Sequence, residues 1–132
     1  MLDLQQQHTT LITAPQVAQR VRATVISYYP GRGPNGEDEA LVDAGAIAFS
    51  KDTGPSQGYG EVVGKAWRLT RISQEHGILI QTKEESEKLE IGTVVEIIGQ
   101  HACLIAAVRH CNDNARGFAL TLGTGTSMVL YC

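Results

Sequence analysis

The sequence predicts an all-β domain, a β-barrel of roughly seven to nine short strands. Three observations carry that expectation. Short runs rich in Val, Ile, Thr and aromatic residues alternate apolar and polar positions along most of the chain. Clusters of Gly, Pro, Asn and Asp separate them at short intervals. No amphipathic helix of ordinary length stands out.

The chain of 132 residues suits one compact domain with one core. Its 42% hydrophobic content is in the globular range, so disorder of the whole chain is not expected. A net charge of −3 with scattered arginines argues against a nucleic-acid binder. There is no apolar run of about 20 residues, so no membrane span is expected. Residues 1–10 lack a signal-peptide pattern, which makes a cytoplasmic setting the default expectation. Neither a phosphate-binding Gly-Lys loop nor a dinucleotide fingerprint is present.

In chain order, residues 1–16 read as a lead-in and 17–132 as the barrel domain. The alternation Leu2-Asp3-Leu4-Gln5 is consistent with a frayed terminus or a terminal strand, and Ala14-Pro15 interrupts it. Val17 to Tyr28 is a strand, followed by a Pro- and Gly-rich loop from Tyr29 to Gly36. Ala40 to Ala48 reads as a second strand broken at Asp43-Ala44-Gly45. There Asp43 would bond backbone amides, and Gly45 is free to take a positive φ. Phe49 to Gly60 is a long polar loop containing Asp52 and Tyr59. Strands follow over Gly64–Ile72 (around Trp67, a core or interface residue) and over Ile78–Gln81, with Ser73-Gln74-Glu75-His76-Gly77 as the turn. Lys83 to Glu90 is a solvated charged run. Thr93–Ile98 and Leu104–Arg109 are strands flanking Gly99 to Cys103. The last strands are expected within 117–122 and 127–131.

The chemistry-bearing residues sit between those two apolar runs. In extended backbone His101 and Cys103 would share a face, with Ala102 on the other. Imidazole and thiolate are ligands that zinc favours, yet two do not close a tetrahedral site. A buried cysteine beside a satisfied histidine is the alternative reading. His110 and Cys111 are adjacent, so in a strand they would face apart, and Cys132 carries no signal. Three cysteines without paired spacing exclude a disulfide scaffold.

Val42-Asp43-Ala44-Gly45 with Ser50-Lys51-Asp52, then Ser73-Gln74-Glu75-His76-Gly77-Ile78-Leu79, then Gln100-His101-Ala102-Cys103 occur in that order. Together they resemble the C-terminal β-barrel of the D-serine dehydratase and D-threonine aldolase family, whose members share the alanine racemase fold. The resemblance is strongest over residues 17–110. It implies a partner (β/α)₈ domain of about 250 residues, which in the family carries the lysine that binds pyridoxal phosphate. It further implies zinc held by His101 and Cys103, with D-serine or a similar D-3-hydroxy amino acid as substrate. His76 is then a candidate acid–base or carboxylate-contacting residue. None of Lys51, Lys65, Lys83 and Lys88 has the setting of a cofactor lysine, so the chain alone is expected to lack that function. The other readings are a non-catalytic interaction or dimerisation module, and a truncated D-threonine aldolase-like protein. Gly99-Gln100 stands where the family often has Pro-Asn, and the match fades after His110.

Overall fold

The computed structural model describes residues 3–13, 17, 19–107, 118–121 and 127–130. Its elements are α1 (Leu4–His8), β1 (Gln19–Tyr29), β2 (Glu39–Val42), α2 (Ala46–Phe49), β3 (Gly60–Val62), β4 (Trp67–Ile72), β5 (Gly77–Gln81), β6 (Val94–Gly99), α3 (Ala102–Ala107), β7 (Phe118–Thr121) and β8 (Ser127–Leu130). All strand pairs are antiparallel. The sheet runs β2-β5-β4-β3-β6-β1-β8-β7, and a further β2–β1 pairing closes six of the eight strands into a barrel. The mainly-β barrel expected from the sequence is therefore present, with a smaller closed ring.

β1 holds the ring together because it is long enough for three partners. One edge pairs with β6 from Val21↔Ile97 to Thr24↔Val94. The opposite edge is shared, by β8 over Gln19–Arg22 and by β2 over Val25–Tyr29. Alternation along β1 buries Val21, Ala23 and Val25, and it breaks where the register with β2 shifts between Val25 and Ser27. A second shift lies between Leu69 and Arg71 of β4. Such bulges sharpen strand twist, which a ring of only six strands needs.

The inward positions of Val21, Val25, Val42, Leu69, Leu79 and Ile97 fill the barrel, each fully buried. Burying side chains of this size contributes roughly 1.5–3 kcal/mol apiece. Trp67 is buried at the β4 end, and its Nε1–H donates to the Glu87 carbonyl at 3.0 Å. The charged run after β5 is solvated as expected, except that Leu89 plugs into the core.

Three local expectations are corrected. The lead-in is neither frayed nor a strand. Leu4–His8 is a helix whose N-cap, Asp3, accepts the Gln6 N–H at 3.0 Å. The second strand stops at Val42, and Ala46–Phe49 forms a helical turn. Ala46 and Ile47 donate their N–H groups to the carbonyls of Ser73 and Gln74, which takes care of donors that a helix start leaves open. Gly45 has φ −123°, so it is not required for a positive φ. It is required for close approach, since a Cβ there would lie 2.5 Å from Ser73 O and 2.6 Å from His76 N. Finally, the run after Gly99 is not a strand: Ala102–Ala107 is α3.

Candidate functional site

β2, β4 and β6 end, and β1, β3 and β5 begin, at the same rim of the barrel. That rim therefore gathers the β4–β5 turn with His76, α2, the loop from Ser50 to Tyr59, α1, and the segment from Gln100 into α3. His76 and His101 are brought to one rim, as the two histidine motifs require. α2 links their neighbourhoods. It is bonded to the His76 turn, and its Phe49 packs with Ile105 of α3 against Gly99.

His101 and Cys103 do not share a face by strand alternation, because the backbone turns helical after His101. The His101 carbonyl accepts the Ile105 N–H at 3.2 Å, and its Nδ1 accepts the Leu104 N–H at 3.3 Å. His101 is thus the N-cap of α3, in the position where Ser or Asp usually places a side-chain acceptor. Cys103 is an exposed free thiol one residue into the helix, and His101 is half-buried. Among the described residues no third His, Cys, Asp or Glu joins them as a metal-holding group.

The donor set suits zinc, and the ring's present bond defines what binding would change. An Nδ1 that accepts a hydrogen bond leaves the neutral ring's proton on Nε2. Metal ligation uses a ring lone pair. Ligation through Nδ1 displaces the Leu104 N–H directly, and ligation through Nε2 moves the proton to Nδ1. Either route ends the cap bond, which at 3.3 Å is long and weak. The pair fits a divalent ion on condition that the ring releases α3.

The neighbouring residues hold this turn firmly. Gln100 is 1% exposed, and its Nε2 donates to Gly58 O at 3.1 Å and to Ser56 Oγ at 3.3 Å. Its Oε1 has no protein donor and lies against Gly54, in the space a Cβ there would fill. Gln5 donates its N–H to Gln100 O at 3.2 Å, and its Nε2 to Asp52 Oδ2 at 3.0 Å and Thr53 O at 3.1 Å. Asp3 Oδ2 accepts the Ala102 N–H at 3.0 Å. Sequence reasoning missed Asp3 and Gln5 as site residues. The one local signal was an Asp directly before an apolar residue and a Gln run, a helix-start pattern.

His76 is exposed, its backbone locked to Ser73 through the Ser73 N–H (2.8 Å) and hydroxyl (3.2 Å). Glu75 is exposed beside it. Asp43 accepts the Thr24 N–H of β1 at 2.7 Å, a backbone amide as expected. Ser50 has an unusual backbone for a residue with a Cβ, φ 65° and ψ −178°, a region that favours glycine. His110 and Cys111 lie outside the described residues.

A hollow of about 910 Å³ lies elsewhere, at the opposite rim and along the adjoining face of β4 and β5. It is lined by Glu37, Asp38, Glu39, Arg68, Arg71 and Lys88 among others, and by none of the predicted site residues. Its charges largely satisfy one another. Glu39 is 2% exposed and pairs with Arg71 and, at 3.8 Å, with Arg32. Asp38 is held below the usual carboxylate range by the Tyr28 hydroxyl and then by the Gly31 N–H. Burial, followed by its bond to Asp38, pushes Tyr28 up to about 12. Concavity and candidate metal donors therefore occupy opposite ends, and the chemistry of the donors is the better guide to a reactive site.

Residues 18–111 match the family described as the putative serine dehydratase domain. The chain belongs to that family. The domain is 42% identical over 111 residues to a D-serine dehydratase of Schizosaccharomyces pombe, covering 81% of this chain and 26% of the relative. It is 34% identical over 121 residues to a D-threo-3-hydroxyaspartate dehydratase of a Delftia species, covering 80% and 30%. The chain thus spans about a quarter to a third of the length of these relatives. Among solved structures, an alanine racemase-like protein from Idiomarina loihiensis superposes with a TM-score of 0.71 at 22% identity, over 98% of this chain and 35% of that one. That likeness shows that the serine dehydratase domain has an alanine racemase-like barrel fold.

Proposed function

We propose that this domain is the metal-bearing part of a zinc- and pyridoxal phosphate-dependent lyase that eliminates water from D-serine or a similar D-3-hydroxy amino acid, releasing pyruvate and ammonia from D-serine. The observation that carries the proposal is the His101–Cys103 pair at the barrel rim, a half-buried imidazole beside an exposed thiol, joined by no third His, Cys, Asp or Glu among the described residues. The names of the dehydratase relatives support the substrate class. When bound, zinc would supply a Lewis acid for the β-oxygen, and pyridoxal phosphate, held by a (β/α)₈ partner domain, an electron sink at the α-carbon.

The chain's own residues bind, orient and transfer. His101 and Cys103 would hold the ion, with the imidazole and the thiolate as its protein ligands. Asp3, Gln5 and Gln100 keep the turn rigid, so that the donors do not need ordering at each turnover. His76 has an exposed ring with no hydrogen bond among the described residues, so it is available to carry a proton or contact the substrate carboxylate. The second reading is a non-catalytic module that docks on a (β/α)₈ partner or a second copy. Lysine placement favours it. Lys65 pairs with Glu87, Lys83 and Lys88 line the far hollow, and Lys51 is exposed on a loop, so none is a credible cofactor lysine.

Zinc-loaded chain, mixed with a (β/α)₈ domain from a D-serine dehydratase and pyridoxal phosphate, is assayed for pyruvate release. Turnover that disappears in His101→Ala and Cys103→Ala is the expected result. Association of the two proteins without turnover would favour the module instead.

A further inference from the structure

The lead-in helix grips both sides of the His101 turn. Asp3 is 4% exposed, and its carboxylate is divided between two backbone donors. Oδ1 takes the Gln6 N–H and so caps α1, while Oδ2 takes the Ala102 N–H from 99 residues away, each at 3.0 Å. Ala102 is fully buried and lies between the two candidate ligands. Fixing its N–H fixes the His101–Ala102 peptide plane, and with it the directions in which the flanking Cβ atoms leave the chain. Gln5 holds the preceding carbonyl of Gln100, and Leu4, 1% exposed, anchors the helix between them.

The geometry points to Asp3 as a positioning residue for the His101–Cys103 pair, a role that rests on reading that pair as metal ligands. A carboxylate accepting backbone N–H groups makes charge-assisted bonds, stronger than neutral ones. Such an anchor matters here because ligation removes one restraint on the turn, the His101 cap on Leu104. With that bond gone, Asp3 provides the remaining side-chain hydrogen bond to the start of α3 among the described residues. Residues that orient metal ligands in this way typically change metal affinity 10–100-fold when altered.

Asp3→Asn separates the two bonds. Asparagine caps helices about as well as aspartate, so Gln6 keeps its acceptor. The amide NH₂ then faces the Ala102 N–H, donor against donor. The test titrates the full chain with cobalt(II) as a spectroscopic stand-in for zinc and follows the thiolate-to-cobalt charge-transfer absorption, with amide exchange at Ala102 measured in parallel. In the parent, the absorption should require both His101 and Cys103. In Asp3→Asn the affinity should fall about tenfold or more, and Ala102 should exchange faster. Leu4→Ala loosens α1 through packing and leaves the carboxylate in place, so its cobalt affinity should stay within about threefold of the parent.

Asp3→Asn binding cobalt as tightly as the parent would overturn the positioning role and leave the metal site standing. Equal weakening in Leu4→Ala would also overturn it, as general loosening. A parent absorption indifferent to His101→Ala and Cys103→Ala would remove the metal reading, and the role of Asp3 toward the pair with it.

Discussion

The Tyr28 hydroxyl donates to the Asp38 carboxylate at the rim opposite His101: burial and then this bond raise the phenol to about 12, and the bond lowers the carboxyl. The consequence for stability has two limbs. The phenol's folded value lies above its ordinary 10, so its contribution is complete below pH 10 and is lost as pH rises from there toward 12. The carboxyl's folded value is depressed, so its contribution is complete above the ordinary carboxylate range and is lost as pH falls through the folded value. Tyr28→Phe should lower stability near neutrality by about 1 kcal/mol or less, because both partners are only partly buried. The difference in denaturation midpoint between parent and variant should shrink at both extremes of pH. A constant difference across the range would show that packing, not the bond, sets the effect.

Ser50 ends α2 with φ 65° and ψ −178°. A residue with a Cβ is strained there by roughly 1–3 kcal/mol, and glycine is not. Ser50→Gly should therefore stabilise the chain by about 1 kcal/mol despite losing the Ser50 hydroxyl that accepts the Asp52 N–H at 3.3 Å. Ser50→Ala should not. Thermal melts of the two variants side by side decide it. Equal shifts would mean that the hydroxyl matters and the backbone does not.

At Gly45 the constraint is space. The Cβ introduced by Gly45→Ala meets three backbone atoms of the His76 turn, which cannot swing aside as a flexible side chain would. Overpacking of this kind costs about 1–3 kcal/mol, which denaturant titration would read as a lower midpoint at unchanged slope. In assembled enzyme the same variant should disturb whatever His76 contributes, since the turn carrying it must move.

Cys103 is exposed, so iodoacetamide should label it readily in the folded chain, as identified by peptide mapping. Zinc should slow the labelling, because a metal-bound thiolate is withheld from the reagent. His101→Ala should abolish that protection. Protection that survives in His101→Ala would mean that the thiol finds zinc without its neighbour.

What could be read from the sequence divides along physical lines. The barrel strands were legible because burial on one face imposes a period of two, and β1 shows it plainly over Val21, Ala23 and Val25. β3 was not separated from the loop before it, since Gly60-Glu61-Val62 is too short to show a period. The start of α3 was misread because Ala102 to Ala107 is an unbroken apolar run, and such a run has no period to distinguish helix from strand. Its helical start is decided by bonds to Asp3 and the His101 ring, and the first of these bridges almost the whole chain. The candidate ligands themselves were legible as residue types in family order, while their geometry was not. Gln100 stands where the family often has asparagine. It is a buried clasp, because its longer side chain reaches Gly58 across the loop.

The separation of the two rims has a consequence for how this domain can diverge and be engineered. The hydrogen bonds that reach Gln100, His101 and Ala102 come from Asp3, Gln5, Ser56, Gly58, Leu104 and Ile105, all on the rim that carries His101. The hairpin-like excursion around Gly36 is exposed at the other end, and a Cβ on that glycine would meet nothing within 4 Å. Insertions are tolerated where exposed loop tips carry few contacts. Lineages can lengthen that excursion, and laboratories can splice a tag or fluorophore into it, while the rim that carries His101 keeps its shape.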